Sequence, residues 1–244
     1  MTAPSDDIAL SSSIRSPSPQ RRFGVLGGTF DPIHIGHLII AQEAVSTLQL
    51  DRLFFLPAGD PPHKRNRYIA SAAHRLRMVE LALAGNPAFA VSLVDVQRSG
   101  PSYTEDTLKL LHKQWGPATE IYFVIGWDML DDLLTWHDPA AVVQQADKLV
   151  AVHRPGYEDD ARYLAHLEVV LPGILQRLVL LEAPQFAISS SDLRQRIATG
   201  RPVRYQVPEA VEQYMLAHKL YRQLQTEEGA AGHAAPGYVP EQRG

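Results

Sequence analysis

The chain has 244 residues, 45% apolar and 20% charged, a balance that suits a globular protein with one large core and excludes a fibre or a wholly unfolded chain. It contains no cysteine, which rules out disulfides and thiolate metal sites. Its formal charge of -4 argues against nucleic acid as a partner, because such binders present a basic face.

Residues 1–20, rich in Ser and Pro without sustained periodicity, are expected to form a disordered N-terminal tail. Residues 225–244, mostly Glu, Gly, Ala and Pro, are expected to form a second one. Residues 21–224 read as a single domain. Short apolar runs at 23–26, 53–56, 89–94, 121–125, 149–152 and 178–181 are bounded by Gly, Pro or charge, the pattern of strands buried on both faces. Amphipathic stretches separate them. Residues 35–48 place Leu38, Ala41, Val45 and Leu48 at helical spacing, and Ser71 can N-cap a helix running to about Ala84. Residues 103–115 carry Leu108, Leu111 and Trp115 on one side, and Pro208 can open a last helix through Val211, Tyr214 and Met215. This alternation predicts an α/β fold with a doubly wound, mostly parallel sheet. No apolar run approaches the ~20 residues of a membrane helix, and the acidic start has no apolar h-region. The expected setting is the cytoplasm, away from membranes.

The stretch Gly27-Gly28-Thr29-Phe30-Asp31-Pro32-Ile33-His34-Ile35-Gly36-His37 follows the first strand and opens the first long helix. Two glycines after a strand let the backbone turn sharply and approach a ligand. In an open α/β sheet, ligands bind at the carboxyl ends of strands. The new helix offers unpaired N–H groups and a partial positive charge, which suits phosphate. His34 and His37 share a face of its first turn. Taken singly, Gly-Gly is a common tight turn and such a His pair a common surface feature. Zinc would need a third ligand that the spacing does not bring. The run is neither G-x-G-x-x-G nor a Walker loop, which disfavours dehydrogenases and P-loop enzymes.

Further along, Ser189, Ser190 and Ser191 lead into a helix through Leu193 and Ile197, with Arg194 able to offer a planar fork to phosphate oxygens. The plain alternative is a serine N-cap with a solvated arginine. Trp136 is either a core side chain or a face on which a planar ring can stack.

The first motif resembles the H-x-G-H signature of the nucleotidyltransferases, and later segments are similar to their nicotinate-nucleotide adenylyltransferase branch. Those segments are Leu56-Pro57-Ala58-Gly59-Asp60-Pro61-Pro62-His63-Lys64, Gly100-Pro101-Ser102-Tyr103-Thr104-Glu105-Asp106-Thr107-Leu108 and Gly126-Trp127-Asp128-Met129-Leu130 with Trp136. His153-Arg154-Pro155-Gly156-Tyr157 and Ile188-Ser189-Ser190-Ser191-Asp192-Leu193-Arg194 follow. The resemblance spans about residues 22–222 and implies a Rossmann-like sheet of nucleotidyltransferase type. It implies adenylyl transfer from ATP to nicotinate mononucleotide, giving deamido-NAD and pyrophosphate. Pantetheine-phosphate adenylyltransferase and a non-catalytic nucleotide-sensing domain are the alternatives. By the same resemblance, His34, His37, Lys64 and Arg194 are the expected catalytic residues. Gly27, Gly28, Thr29, Phe30, Ile188, Ser189, Ser190 and Arg154 are expected to bind substrate. Ser102, Tyr103, Thr104 and Trp136 would form the pyridine pocket, and Gly126 and Asp128 would lie near the adenosine, unless Asp128 is only a helix cap. Trp127 fills a position that is commonly small or polar in the family; its ring would stack on adenine or narrow the cleft. Mg²⁺ would arrive on the ATP phosphates rather than in a protein cage. A homo-oligomer is compatible with all of this.

Overall fold

The computed structural model describes residues 20–59, 69–153, 161–184 and 186–222. Six strands form one parallel sheet in the order β3-β2-β1-β4-β5-β6, namely β1 (Arg21–Gly28), β2 (Arg52–Pro57), β3 (Phe89–Val91), β4 (Thr119–Gly126), β5 (Lys148–His153) and β6 (Leu178–Glu182). The strand order reverses between β1 and β4, which creates a crevice at their carboxyl ends where no crossover covers the sheet. Each of the six expected runs is a strand. β1 and β4 extend beyond the apolar run at both ends, because ladder hydrogen bonds continue past the buried residues. β3 is shorter than residues 89–94: after the Ser92 N–H donates to Phe55 O, the chain turns out of the sheet and carries Asp95 to Thr107.

Alternate strand residues point to opposite faces, so the sheet separates two cores. On one side Leu26, Leu53, Phe55, Val124 and Val150 pack with Ala41, Met78, Leu193 and Met215. These come from α1 (Ile35–Thr47), α2 (Ala72–Leu83), α8 (Ser190–Ala198) and α9 (Glu209–Ala217). On the other side Val25, Leu56, Phe123, Ile125 and Leu149 pack with Leu108, Leu130, Val142, Leu167 and Ile174. Those belong to α3 (Thr104–Trp115), α4 (Trp127–Asp131), α5 (Pro139–Gln145), α6 (Ala161–Val170) and α7 (Ile174–Arg177).

Ser71 caps α2, its hydroxyl accepting from the His74 N–H. Leu48 and Pro208 lie just outside α1 and α9 as caps, so both helices are a residue shorter than their patterns. Among the described residues no helix is long and apolar enough to cross a membrane. The expected tails fall almost wholly outside the described residues.

Phe55 is fully buried between Phe30 and Phe89, with ring centroids 5.7 and 5.3 Å away, and so links the sheet to the loop after β1. Phe55→Ala is expected to cost about 3–5 kcal/mol of unfolding free energy, read by chemical denaturation.

Candidate active site

Gly27 and Gly28 end β1, and the loop that follows is conformationally unusual. Phe30 has φ +51°, a left-handed backbone that a bulky residue adopts only when its surroundings hold it there. They do: the ring is buried, packs on Phe55, and meets the His37 ring edge-on at 5.1 Å. Phe30 therefore serves the site from behind.

His34 caps α1, and its ring stacks on that of His37 with centroids 3.7 Å apart and planes 25° from parallel. The His34 backbone N–H donates to His37 Nδ1 at 3.2 Å. In the neutral ring the proton consequently sits on Nε2, which makes that edge the donor. His34 is 7% exposed and its Nδ1 is buried without a hydrogen-bond partner. Burial lowers its pKa to about 4, so the imidazole is neutral at pH 7. Its side chain faces the His37 backbone N–H in a reciprocal cap at the start of α1; a buried polar atom left without a full hydrogen bond costs about 1–3 kcal/mol.

The start of α8 closes the other side. Ser189 caps it, accepting from the Asp192 N–H at 3.1 Å. Ser190 donates its hydroxyl to Pro32 O at 2.9 Å, so what it offers the cleft is its place in the first turn rather than its side-chain donor. The Ile188 N–H is engaged with Phe186 O, leaving its side chain at the cleft wall. Arg194 donates to Asp31 O at 2.7 Å and to Ser191 Oγ at 3.2 Å. Its guanidinium is also 3.7 Å from the Asp31 carboxylate. The expected fork is thus oriented from behind before any ligand arrives.

His34, His37, Gly27, Gly28, Thr29 and Phe30 line one cleft of about 740 Å³ together with Gly126, Asp128, Trp136, Ile188, Ser189, Ser190 and Arg194. A smaller pocket of about 210 Å³ is lined by Ser102, Tyr103 and Thr104. The two share Gly27, Gly28, Thr29, Met129 and Trp136. The half-buried Trp136 packs edge-on against Phe123 at 6.3 Å, so it belongs to the core and to both cavities at once. Tyr103 is the N-cap of α3 rather than its first residue. Asp128 sits inside α4, whose N-cap is Gly126, so it is an exposed side chain of the cleft and not a cap. Trp127 is 3% exposed and buried in the second core, its ring 6.4 Å from Tyr163. It forms floor: too little of the ring is open for adenine to stack on, and none of it projects as a gate. Lys64 and Arg154 lie outside the described residues.

Several residues of the site were not anticipated. Asp31 is 2% exposed, and its Oδ1 accepts from Tyr221 Oη at 2.7 Å and the Ala70 N–H at 3.1 Å. Arg75, equally buried, donates to four carbonyl oxygens, those of Thr29, Ala58, Gly59 and Ala70. It clamps the loop after β1 to the loop after β2. Burial pushes its pKa down, opposed by the nearby Asp31 carboxylate, and an arginine stays charged regardless. One signal was available: Arg75 shares the buried stripe of α2 with Met78 and Val79, and a charge there demands partners. Under the smaller pocket, buried Asp95 accepts from Thr107 Oγ1 at 2.6 Å and pairs with Arg98 at 3.4 Å; desolvation raises the Asp95 pKa. Gly59 passes so close to the Asp95 carbonyl that a Cβ would collide with it. Among the described residues no three His, Asp or Glu side chains converge as a metal site.

Arg75→Met leaves these carbonyls without their donor; a loss of about 3–5 kcal/mol in unfolding free energy is expected, and less than about 1 kcal/mol would show the clamp to be dispensable. His34 has a folded pKa of about 4 against 6.5 for an ordinary histidine. The unfolded chain therefore binds the proton first, so stability is unaffected above pH 6.5 and falls as pH drops toward 4. The loss should approach roughly 3 kcal/mol, and His34→Asn should remove that part of the pH dependence in denaturation curves.

Residues 25–196 match the family model described as Cytidylyltransferase-like. A protein of Thermomicrobium roseum named "Probable nicotinate-nucleotide adenylyltransferase" is 50% identical over 204 residues, covering 84% of this chain and 93% of its own. A relative of the same name from a Roseiflexus species is 49% identical, covering 82% and 97%. Among solved structures, the Plasmodium falciparum nicotinic acid mononucleotide adenylyltransferase complexed with NaAD superposes with a TM-score of 0.67, at 18% identity over 82% of this chain and 97% of that one. With the parallel six-stranded sheet and the stacked histidine pair at its switch point, these likenesses lead to one assignment: the chain belongs to the nicotinate-nucleotide adenylyltransferases of the cytidylyltransferase-like family.

Proposed function

We propose that this chain transfers the adenylyl group of ATP to nicotinate mononucleotide, releasing pyrophosphate and forming deamido-NAD, a step of NAD biosynthesis. The observation that carries the reading is a pair of cavities meeting at Gly27, Gly28 and Thr29, directly beside the stacked histidines and the α8 N-terminus. Two substrates lying in the two cavities would meet at the shared wall. The names of the relatives at 49–50% identity support the same acceptor.

The monoester oxygen of the acceptor attacks the α-phosphorus in line. A bond forms between them while the bond from that phosphorus to the bridging oxygen breaks, and pyrophosphate leaves with the electron pair. The attacking oxygen is already anionic, so no protein nucleophile is needed. Catalysis reduces to positioning and stabilisation of charge.

We assign the triphosphate to the larger cleft. The His37 ring, stacked on His34, lines it, and Arg194 and the first turn of α8 supply a charged fork and helix-start amides. A neutral His34 in the free chain avoids placing a cation against the N-terminus of α1. Lys64 is assigned to the phosphates and Arg154 to the substrates on family resemblance. The adenosine lies near Gly126 and Asp128, and the pyridine ring in the smaller pocket against Trp136. The divalent ion, which we take as Mg²⁺, enters on the ATP oxygens and their waters. The substrates are soluble metabolites, and we place the enzyme in the cytoplasm as a single domain over residues 21–224.

Pyrophosphate release should be observed with ATP and nicotinate mononucleotide. Release with phosphopantetheine alone would move the chain to a different acceptor. His37→Ala should lower kcat by ~10²-fold or more if Nε2–H stabilises the transition state, and near wild-type turnover would remove His37 from the mechanism.

A further inference from the structure

Just beyond α9 the backbone takes a shape that bulky side chains rarely adopt. Lys219 has φ +52° and Tyr221 φ +64°, left-handed conformations that persist only where the surroundings hold them. The turn carries the Tyr221 side chain into the core behind the nucleotide cleft. Its ring is 1% exposed, and its hydroxyl donates to Asp31 Oδ1 at 2.7 Å. Phenylalanine would bury the same ring, so the hydroxyl is what distinguishes the residue.

Asp31 faces Arg194, yet the two are not closed on each other. The Ala70 N–H joins Tyr221 on Oδ1, at 3.1 Å. Among the described residues Oδ2 accepts no hydrogen bond, although it is buried and Nη1 of Arg194 is 3.7 Å away. A guanidinium and a carboxylate that can turn toward each other close to about 2.7–2.9 Å, often through two parallel bonds. Here Nη1 donates instead to the Asp31 carbonyl at 2.7 Å, and Nη2 donates to Ser191 Oγ at 3.2 Å. The carboxylate is anchored by its far oxygen, and Arg194 is aimed by neutral acceptors. A closed pair would claim two of the five N–H donors of the guanidinium and offset its charge beside the cleft that it lines.

We propose that Tyr221 is a positioning residue for the ATP phosphates: by holding Asp31 through Oδ1, it keeps the Asp31–Arg194 pair open and leaves the guanidinium able to take a phosphate. The inference rests on the assignment of Arg194 to the triphosphate. Tyr221 lines neither cavity and acts through Asp31. Without its hydroxyl, the carboxylate keeps the Ala70 N–H on Oδ1 and can turn Oδ2 onto Nη1. That charge-assisted bond is favoured in a buried setting, and ATP must then break it to recruit Arg194. Arg194 does not line the smaller pocket, so the penalty falls on ATP and not on the acceptor.

The test is steady-state kinetics of the full chain, with ATP and nicotinate mononucleotide each varied while the other is saturating. Tyr221→Phe keeps the buried ring and removes only the hydroxyl. It should raise KM for ATP at least about fivefold and leave KM for nicotinate mononucleotide within about twofold of wild type. Asp31→Asn keeps an acceptor for the Ala70 N–H but has no charge to draw the arginine. Combined with Tyr221→Phe, it should bring KM for ATP back toward that of Asp31→Asn alone. Arg194→Met should itself raise KM for ATP, and adding Tyr221→Phe should then change that value by less than about twofold. A packing role alone would lower the unfolding midpoint of Tyr221→Phe without separating the two KM values, and that result overturns the proposal. A rise in KM for ATP that persists in full in the Arg194→Met background overturns it as well. Arg194→Met with the wild-type KM for ATP would overturn the phosphate assignment of Arg194 itself, and this inference with it.

Discussion

The buried carboxylate of Asp31 is the point at which the loop after β1, the approach to α2, the start of α8 and the chain beyond α9 are joined. A charge so thoroughly removed from water is tolerated only when surrounding donors replace its hydration. Here Oδ1 accepts from the Ala70 N–H and the Tyr221 hydroxyl, while among the described residues Oδ2 has no hydrogen bond and only the Arg194 guanidinium near it, an ion partner at 3.7 Å that donates to the Asp31 carbonyl instead. Each comes from a different segment, so satisfying one carboxylate fixes the relative position of all of them. Arg75 repeats the arrangement with opposite sign, one buried cation gathering carbonyls from the loops after β1 and β2 and from the approach to α2. The cleft-lining residues after β1 consequently sit on a loop that is pinned without being regular secondary structure, and the left-handed Phe30 is the local cost of that shape.

Such a frame lets the nucleotide cleft work with partial charges. His34 is held neutral by burial, His37 Nδ1 is occupied by a backbone N–H, and the helix start at α8 contributes dipole rather than net charge. Full cations are restricted among the described residues of this wall to Arg194, itself oriented by Asp31 and Ser191. Preorganised donors of this kind need little rearrangement as charge develops on a transferring phosphoryl group. The smaller pocket is built differently, lined by the aromatic rings of Tyr103, Phe123 and Trp136 and by the hydrogen-bonded pair Glu105–His137.

Secondary structure and the strand–loop–helix turn after β1 were legible because their signals are local. The six apolar runs, the Ser71 cap, and the strand–Gly-Gly–helix order of residues 27–37 each follow from neighbours within one or two turns of chain. The α5 helix carries equally local signals, Asp138 as cap and Pro139 at its first position. Resemblance added Trp136 and residues 102–104, whose spacing alone carries no pyridine signal. Trp127 misled because a sequence shows a residue's bulk but not the depth at which it is buried.

By itself, then, the sequence determined the class of fold, the place of the Gly-Gly and histidine loop after β1, and the residue types that line its cleft. Only the tertiary structure decided which of those residues are aimed into the cleft and which hold the others. Arg75 meets Thr29 across 46 positions of chain and Tyr221 meets Asp31 across 190, and no local pattern encodes a partner that distant. The same holds for Glu105 and His137, 32 positions apart. A buried charge announces that it must be satisfied, but its partners are known only once the sheet has brought the loops together.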